Sequence, residues 1–180
     1  MLPMVSAREE IDRARDRLEA IRAELPAQGW PRPSSVSLGV MIEVPSAAIM
    51  ADALAESVDF FSIGTNDLVQ YTLAADRTNP DLADLATAYQ PAILRLIDMV
   101  VRAAAPRGRH VAVCGEAAAD PGLVPILIGL GVDELSVAPG SIAIVRARAA
   151  ELDGEACREL ASRALAASTA DEVRRIAREP

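Results

Sequence analysis

Lysine is absent from this chain: all eighteen basic residues are arginine. Schiff-base and lysine-nucleophile chemistry are thereby excluded for these residues. Aromatic side chains are scarce at 3% while apolar residues make up 51%, with alanine abundant. That balance suits helices packed on a buried parallel sheet better than a β-sandwich. Positive charge is in deficit, with 26 acidic residues and a net charge of −8. A nucleic acid or an anionic membrane surface is a poor partner for such a chain. Cysteine occurs twice, at Cys114 and Cys157, too sparsely for a disulfide framework, which points to a reducing cytoplasm. No apolar run reaches bilayer length, and the opening MLPMV is too short for a secretory signal. The expectation is a cytoplasmic protein with no membrane insertion. Its 180 residues suffice for one well-buried domain.

What is present alternates between strand and helix without a linker. Apolar runs predict five strands: Leu2 to Val5, Val36 to Glu43, Phe60 to Ile63, Val111 to Cys114, and Glu134 to Ala138. Ser6 with Glu9 reads as a capping box before a helix whose apolar residues are Ile11, Ala14, Leu18, Ile21 and Leu25. Ser46 is expected to cap an alanine-rich helix reaching about Ser57. Pro91 opens a helix that ends before Gly108. A short helix after Asp120 and Pro121 should end at Gly129 and Gly131. Thr169 with Glu172 opens the last helix. Repeated βα units with buried strands imply a parallel sheet and right-handed crossovers. A closed (β/α)8 barrel needs eight strands and about 250 residues. Five strands therefore read as part of a larger barrel, or as one of two copies that complete each other. Left alone, five such strands would expose two apolar sheet edges; the first reading is preferred.

Polar residues gather at the carboxyl ends of these strands, the end at which α/β barrels keep their active sites. Glu43 ends the second strand. The third breaks at Gly64 into a polar loop bearing Thr65, Asn66 and Asp67, with Arg77 beyond it. The fourth ends in Cys114, Gly115 and Glu116, and Ser136 to Ser141 surround the fifth. Neighbouring strands lie about 4.8 Å apart, so Glu43 and Asp67 can reach one divalent cation, an arrangement ordinary for Mg²⁺. Arg77 offers a planar fork for phosphate or carboxylate. Plainer readings stand beside these. Glu43 could be a surface carboxylate, Asp67 a helix N-cap, Asn66 a turn residue, Arg77 a snorkelling surface arginine, and Cys114 an inert core thiol. Cys157 reads as packing. His110, the single histidine, sits at the amino end of its strand, where side chains serve stability.

The run from Asp59 through Ser62, Gly64, Thr65, Asn66, Asp67 and Gln70 to Arg77 resembles the signature of phosphoenolpyruvate-utilising enzymes. VMIEVPSAA, with Glu43, and VAVCGEAAAD, with Cys114, are similar to two further blocks of that family. YTLAADRTNP and STADEVRRI look most like its enzyme I branch, the phosphoenolpyruvate-protein phosphotransferases of bacterial sugar uptake. The likeness runs through essentially the whole chain, in order. It implies the later part of a phosphoenolpyruvate-binding (β/α)8 barrel, fourth strand to eighth, filling residues 1–180. It further implies Glu43 and Asp67 as Mg²⁺ ligands, Asn66 and Arg77 as phosphate-binding residues, and Cys114 as the acid that protonates the pyruvate enolate. A phosphorylated histidine on a swivelling domain, further arginines on the first barrel strands, a phosphocarrier protein partner and a homodimer also belong to the family's pattern. None of the first two is among these residues, so the 180 residues alone should be inactive. Two other readings compete. One is a Mg²⁺-dependent pyruvate-enolate aldolase of the citrate-lyase type, which lacks the Thr-Asn-Asp, Arg and Cys-Gly-Glu pattern. The other is a dimerising barrel fragment without chemistry.

Overall fold

A computed structural model describes residues 1–76 and 78–179. The chain enters through Leu2, which makes one parallel bridge to Val40, and continues into α1 (Arg8–Glu24). Next come β1 (Gly39–Ile42), α2 (Pro45–Ile49), α3 (Ala51–Ala55), β2 (Phe60–Gly64) and α4 (Thr65–Leu73). Helix α5 (Pro91–Ala104), β3 (His110–Cys114), α6 (Glu116–Ala119), α7 (Val124–Leu130) and β4 (Glu134–Leu135) follow. Helices α8 (Ile142–Ala150), α9 (Gly154–Ala166) and α10 (Ala170–Ala177) close the described chain.

The sheet has four strands in the order β1-β2-β3-β4, all parallel. Strand order equal to chain order, with right-handed crossovers, keeps adding helices to the same face. The burial pattern agrees. Val40, Ile42, Phe61, Ile63, Val111 and Val113 point to that face and are 0–1% exposed, in one core with Leu54, Ile93, Leu94 and Ile97. The opposite face carries Met41, Ser62, Ala112 and Glu134 in one register layer. Glu43, Gly64 and Cys114 form the layer beyond it, since Gly64 pairs with Cys114 and Glu43 follows Ile42, the partner of Ile63.

Several sequence expectations are corrected. The expected first strand, Leu2 to Val5, is reduced to the Leu2 bridge. Pro3 has no N–H to give a ladder, and Met4 turns the chain at φ 53°. The second strand starts at Gly39 rather than Val36, which is solvent-exposed. The last strand is Glu134–Leu135, although Ser136 N still donates to Val113 O. The capping carboxylate of α1 is Glu10, not Glu9: it accepts from Ser6 N at 2.7 Å and Ala7 N at 3.0 Å. Val44 holds the N-cap place of α2 because Pro45 fills the first helical position, where its missing N–H costs nothing. Ser46 Oγ donates instead to Ser6 O. The helix expected from Ser46 to Ser57 is two short ones meeting at Met50. Gly129 lies inside α7 rather than ending it; Gly131, at φ 90°, is the C-cap. The helix at Pro91 and the Thr169–Glu172 cap of α10 form as expected.

Candidate active site

Glu43 comes directly after β1 and is 4% exposed. Its Oε1 accepts from Met4 N at 2.7 Å, and its Oε2 lies against Gly64, where a Cβ would come within 2.9 Å of it. Among the described residues no basic side chain pairs with it. A buried carboxylate served by one N–H is expensive unless a cation joins it. The surface reading of Glu43 is therefore set aside.

No polar loop follows β2. Gly64 is the N-cap residue and α4 begins at once, so Thr65, Asn66 and Asp67 form its first turn. Asp67 is thus not the cap. It stands half-exposed at the positive end of the helix, where an anionic group is favoured. Nor is Asn66 a turn residue. Its Oδ1 accepts from Glu116 N at 3.0 Å, which leaves its two amide hydrogens facing elsewhere as donors. Thr65 Oγ1 donates to Cys114 O at 2.8 Å. These two bonds tie the end of β2 to the end of β3. They require Gly115, which sits at φ 91°; a Cβ there would fall 2.5 Å from Thr65 Oγ1 and 2.8 Å from Asn66 Oδ1.

Cys114 is half-buried at the carboxyl end of β3, with Ser62 Oγ donating to its Sγ at 3.7 Å. Cys157 differs: it is buried between α7 and α9, and burial, followed by the Asp153 carboxylate, pushes its thiol up. His110 occupies the other end of β3, exposed, with Nε2 3.2 Å from Glu134 Oε2, as the sequence led one to expect. Arg77 lies outside the described residues. The chain before it turns at Ala74, which has φ 49° and caps α4, and Asp76 Oδ1 accepts from Thr78 N and Thr78 Oγ1.

Beside Asn66 a cavity of about 340 Å³ opens, bordered by Thr65, Thr87, Tyr89, Glu116 and Asp120. Burial and a hydrogen bond to Asp120 push the Tyr89 phenol well above its usual range. Sequence reasoning gave no role to Met4, Ser62 or Tyr89. Met4 acts through a backbone N–H, which leaves no mark in the side-chain pattern. Ser62 was named only within the signature run, although a serine amid Phe60, Phe61 and Ile63 interrupts a buried strand and so marks itself out. Among the described residues no three His, Cys, Asp or Glu side chains gather into a metal-holding group. A cation here would rest on two protein carboxylates and on oxygens from elsewhere, a habit that fits Mg²⁺. No helix among the described residues is long and apolar enough to cross a membrane.

Comparison with known proteins gives three kinds of match. A family model described as "PEP-utilising enzyme, PEP-binding domain" matches residues 1–154. The phosphoenolpyruvate-protein phosphotransferase of Listeria monocytogenes is 47% identical over 173 residues, 96% of this chain and 30% of that protein. The protein of the same name from Haloferax volcanii is 47% identical over 176 residues, 98% and 31%. One from Lactococcus lactis is 44% identical over 174, 96% and 30%. The chain thus spans about 30% of the length of the curated relatives it matches. Among solved structures, a citrate lyase from Burkholderia xenovorans LB400 superposes with a TM-score of 0.57 at 19% identity, over 97% of this chain and 60% of that one. That likeness carries the fold and no chemistry.

Proposed function

The chain belongs to the family of PEP-utilising enzymes, in their PEP-binding domain, and on that footing we propose that it is the phosphoenolpyruvate-binding part of a phosphoenolpyruvate-protein phosphotransferase. Such an enzyme moves the phosphoryl group of phosphoenolpyruvate to one of its own histidines and then to a phosphocarrier protein for sugar uptake, releasing pyruvate. One observation carries the reading. Glu43 and Asp67, neither paired with a basic group among the described residues, lie at the same end of the sheet as Asn66, whose amide hydrogens are left to donate. A site of that make-up takes a cation together with its anionic ligand.

The sequential strand order and one-sided helices support a segment of a (β/α)8 barrel filling residues 1–180, fourth strand to eighth, with the Leu2 bridge in the place of the fourth and β1 to β4 as the rest. We place the swivelling phosphohistidine domain and the earlier barrel strands in the length that the relatives have beyond this match. Mg²⁺, held by Glu43 and Asp67, would supply the positive charge that neutralises phosphate and carboxylate. Asn66 donates to the phosphate from its amide nitrogen, and Arg77 grips it with its guanidinium. As the phosphoryl group passes to the histidine, the bond from phosphorus to the enol oxygen breaks and leaves the enolate of pyruvate. Cys114 gives its proton to the methylene carbon, completing pyruvate. Homodimerisation and a cytoplasmic location complete the proposal.

Replacing the two kinds of residue tests it. Asp67→Ala should abolish both metal dependence and phosphohistidine formation. Cys114→Ala should still form phosphohistidine while pyruvate is protonated slowly and without stereospecificity. Single-turnover kinetics that follow phosphohistidine and the pyruvate methyl group separately distinguish the two. Full-rate, stereospecific pyruvate formation by Cys114→Ala would return that thiol to a packing role.

A further inference from the structure

We infer that Ser62 is a positioning residue for Cys114: its hydroxyl orients the thiol and holds the negative charge left on sulfur when the proton departs. The inference rests on the reading of Cys114 as the acid that completes pyruvate.

Ser62 is 7% exposed in a strand whose neighbours Phe61 and Ile63 are fully buried. A buried hydroxyl lowers stability unless it is paired. The backbone of β2 is already engaged in parallel ladders on both sides, and among the described residues the partner of Ser62 Oγ is Cys114 Sγ at 3.7 Å. Packing does not demand serine here. Its cross-strand partner in the same layer is Ala112, also 7% exposed, so the layer accepts a methyl group. Cys114 lies two residues beyond Ala112, on the same face, and a side chain from Ser62 meets it diagonally. The sulfur is thus held from below by a donor, while its half-exposed side faces the end of the sheet where Glu43 and Gly64 share its layer.

The chemistry uses that donor. The S–H bond of Cys114 breaks and a C–H bond forms at the methylene carbon of the enolate. The enolate oxygen becomes the carbonyl of pyruvate, and the electron pair of the S–H bond stays on sulfur. A thiolate is a good acceptor of charge-assisted hydrogen bonds, so the Ser62 O–H bond strengthens as the proton leaves. Solvent later returns a proton to sulfur.

The test compares the purified enzyme with Ser62→Ala, Ser62→Thr and Cys114→Ala. Alkylation of Cys114 by iodoacetamide at fixed pH, read by mass spectrometry of its peptide, reports the thiolate without any reference to catalysis. Exchange of pyruvate methyl protons into deuterium oxide with Mg²⁺ present, read by nuclear magnetic resonance, reports proton transfer at carbon. Ser62→Ala should slow both by about 3-fold or more, with an unchanged melting temperature, and Ser62→Thr, which keeps the hydroxyl, should restore both. If Ser62→Ala leaves alkylation and exchange at the parent rates while Cys114→Ala abolishes exchange, the role of Ser62 is overturned and that of Cys114 stands. If Cys114→Ala exchanges at full rate, the acid is another group, and the positioning role of Ser62 falls with it. Slowing by Ser62→Ala that Ser62→Thr does not relieve assigns the effect to packing and also overturns the inference.

Discussion

At the scale of single residues, the candidate site depends on which atoms are already engaged. Asn66 holds Glu116 N–H through Oδ1, so only its amide hydrogens are available to a ligand. Asn66→Asp keeps the acceptor and the shape but replaces those donors with negative charge. Stability should be retained, while phosphoenolpyruvate affinity falls about 10- to 100-fold; calorimetric titration and a thermal melt of the same sample check both. A melt that collapses along with binding would mean that Asn66 serves the fold alone. Asn66 and Cys114 were legible as candidates because polar residues at strand ends are few and face one another. The partners of Glu43 and Cys114 were not legible. Met4 contributes an N–H and Thr65 a bond to a backbone carbonyl, and neither leaves a pattern in side-chain types.

At the scale of elements, two contacts deserve measurement. Helices α7 and α9 cross so closely that a Cβ on Gly129 would fall 1.9 Å from the carbonyl oxygen of Cys157 and 2.9 Å from Ala161 Cβ. Because the obstacle is backbone, the helices must separate. Gly129→Ala should cost about 2–3 kcal/mol in denaturant unfolding, and a neutral outcome would show that the crossing is loose. The start of α1 offers a pH test. Hydrogen bonds from Ser6 N and then Ala7 N hold the Glu10 carboxyl below its ordinary 4.5. A lowered folded value contributes stability above 4.5 that is lost as pH falls through the folded value. Glu10→Gln should therefore melt earlier than the parent at neutral pH, and the two should converge in acid below the lowered value. A gap that persists there would assign the effect to shape rather than charge. The serine and glutamate signal before α1 was readable, but the choice between Glu9 and Glu10 was not. Only the frame of the first turn decides which carboxylate reaches back.

At the scale of the whole molecule, the four-stranded sheet is open. One face is sealed by helices, whereas the other leaves Met41 and Phe60 only partly covered and His110 and Glu134 exposed. Beyond β4 no further strand pairs among the described residues. Expressed by themselves, the 180 residues should self-associate as concentration rises, seen by light scattering, because an open parallel sheet invites pairing. They should also take no phosphate from phosphoenolpyruvate. The single histidine, His110, is at the amino end of β3 against Glu134, the full length of a strand from Cys114. A concentration-independent monomer, or phosphohistidine on this chain, would contradict that account.

Sequence alone determined the alternation of strands and helices, the parallel sheet, the family resemblance and the identity of the polar residues at the strand ends. Those properties follow from periodicity, breakers and motif spacing, all local in the chain. Tertiary structure decided which strands survive, that α4 starts at Thr65 without a loop, and which atoms of Asn66, Glu43 and Cys114 are committed. Those outcomes turn on contacts between residues 39 to 52 positions apart, where backbone N–H groups and close approaches at Gly64 and Gly115 do the selecting. Such contacts depend on sheet register, and register is settled only when the buried face of the sheet meets its helices.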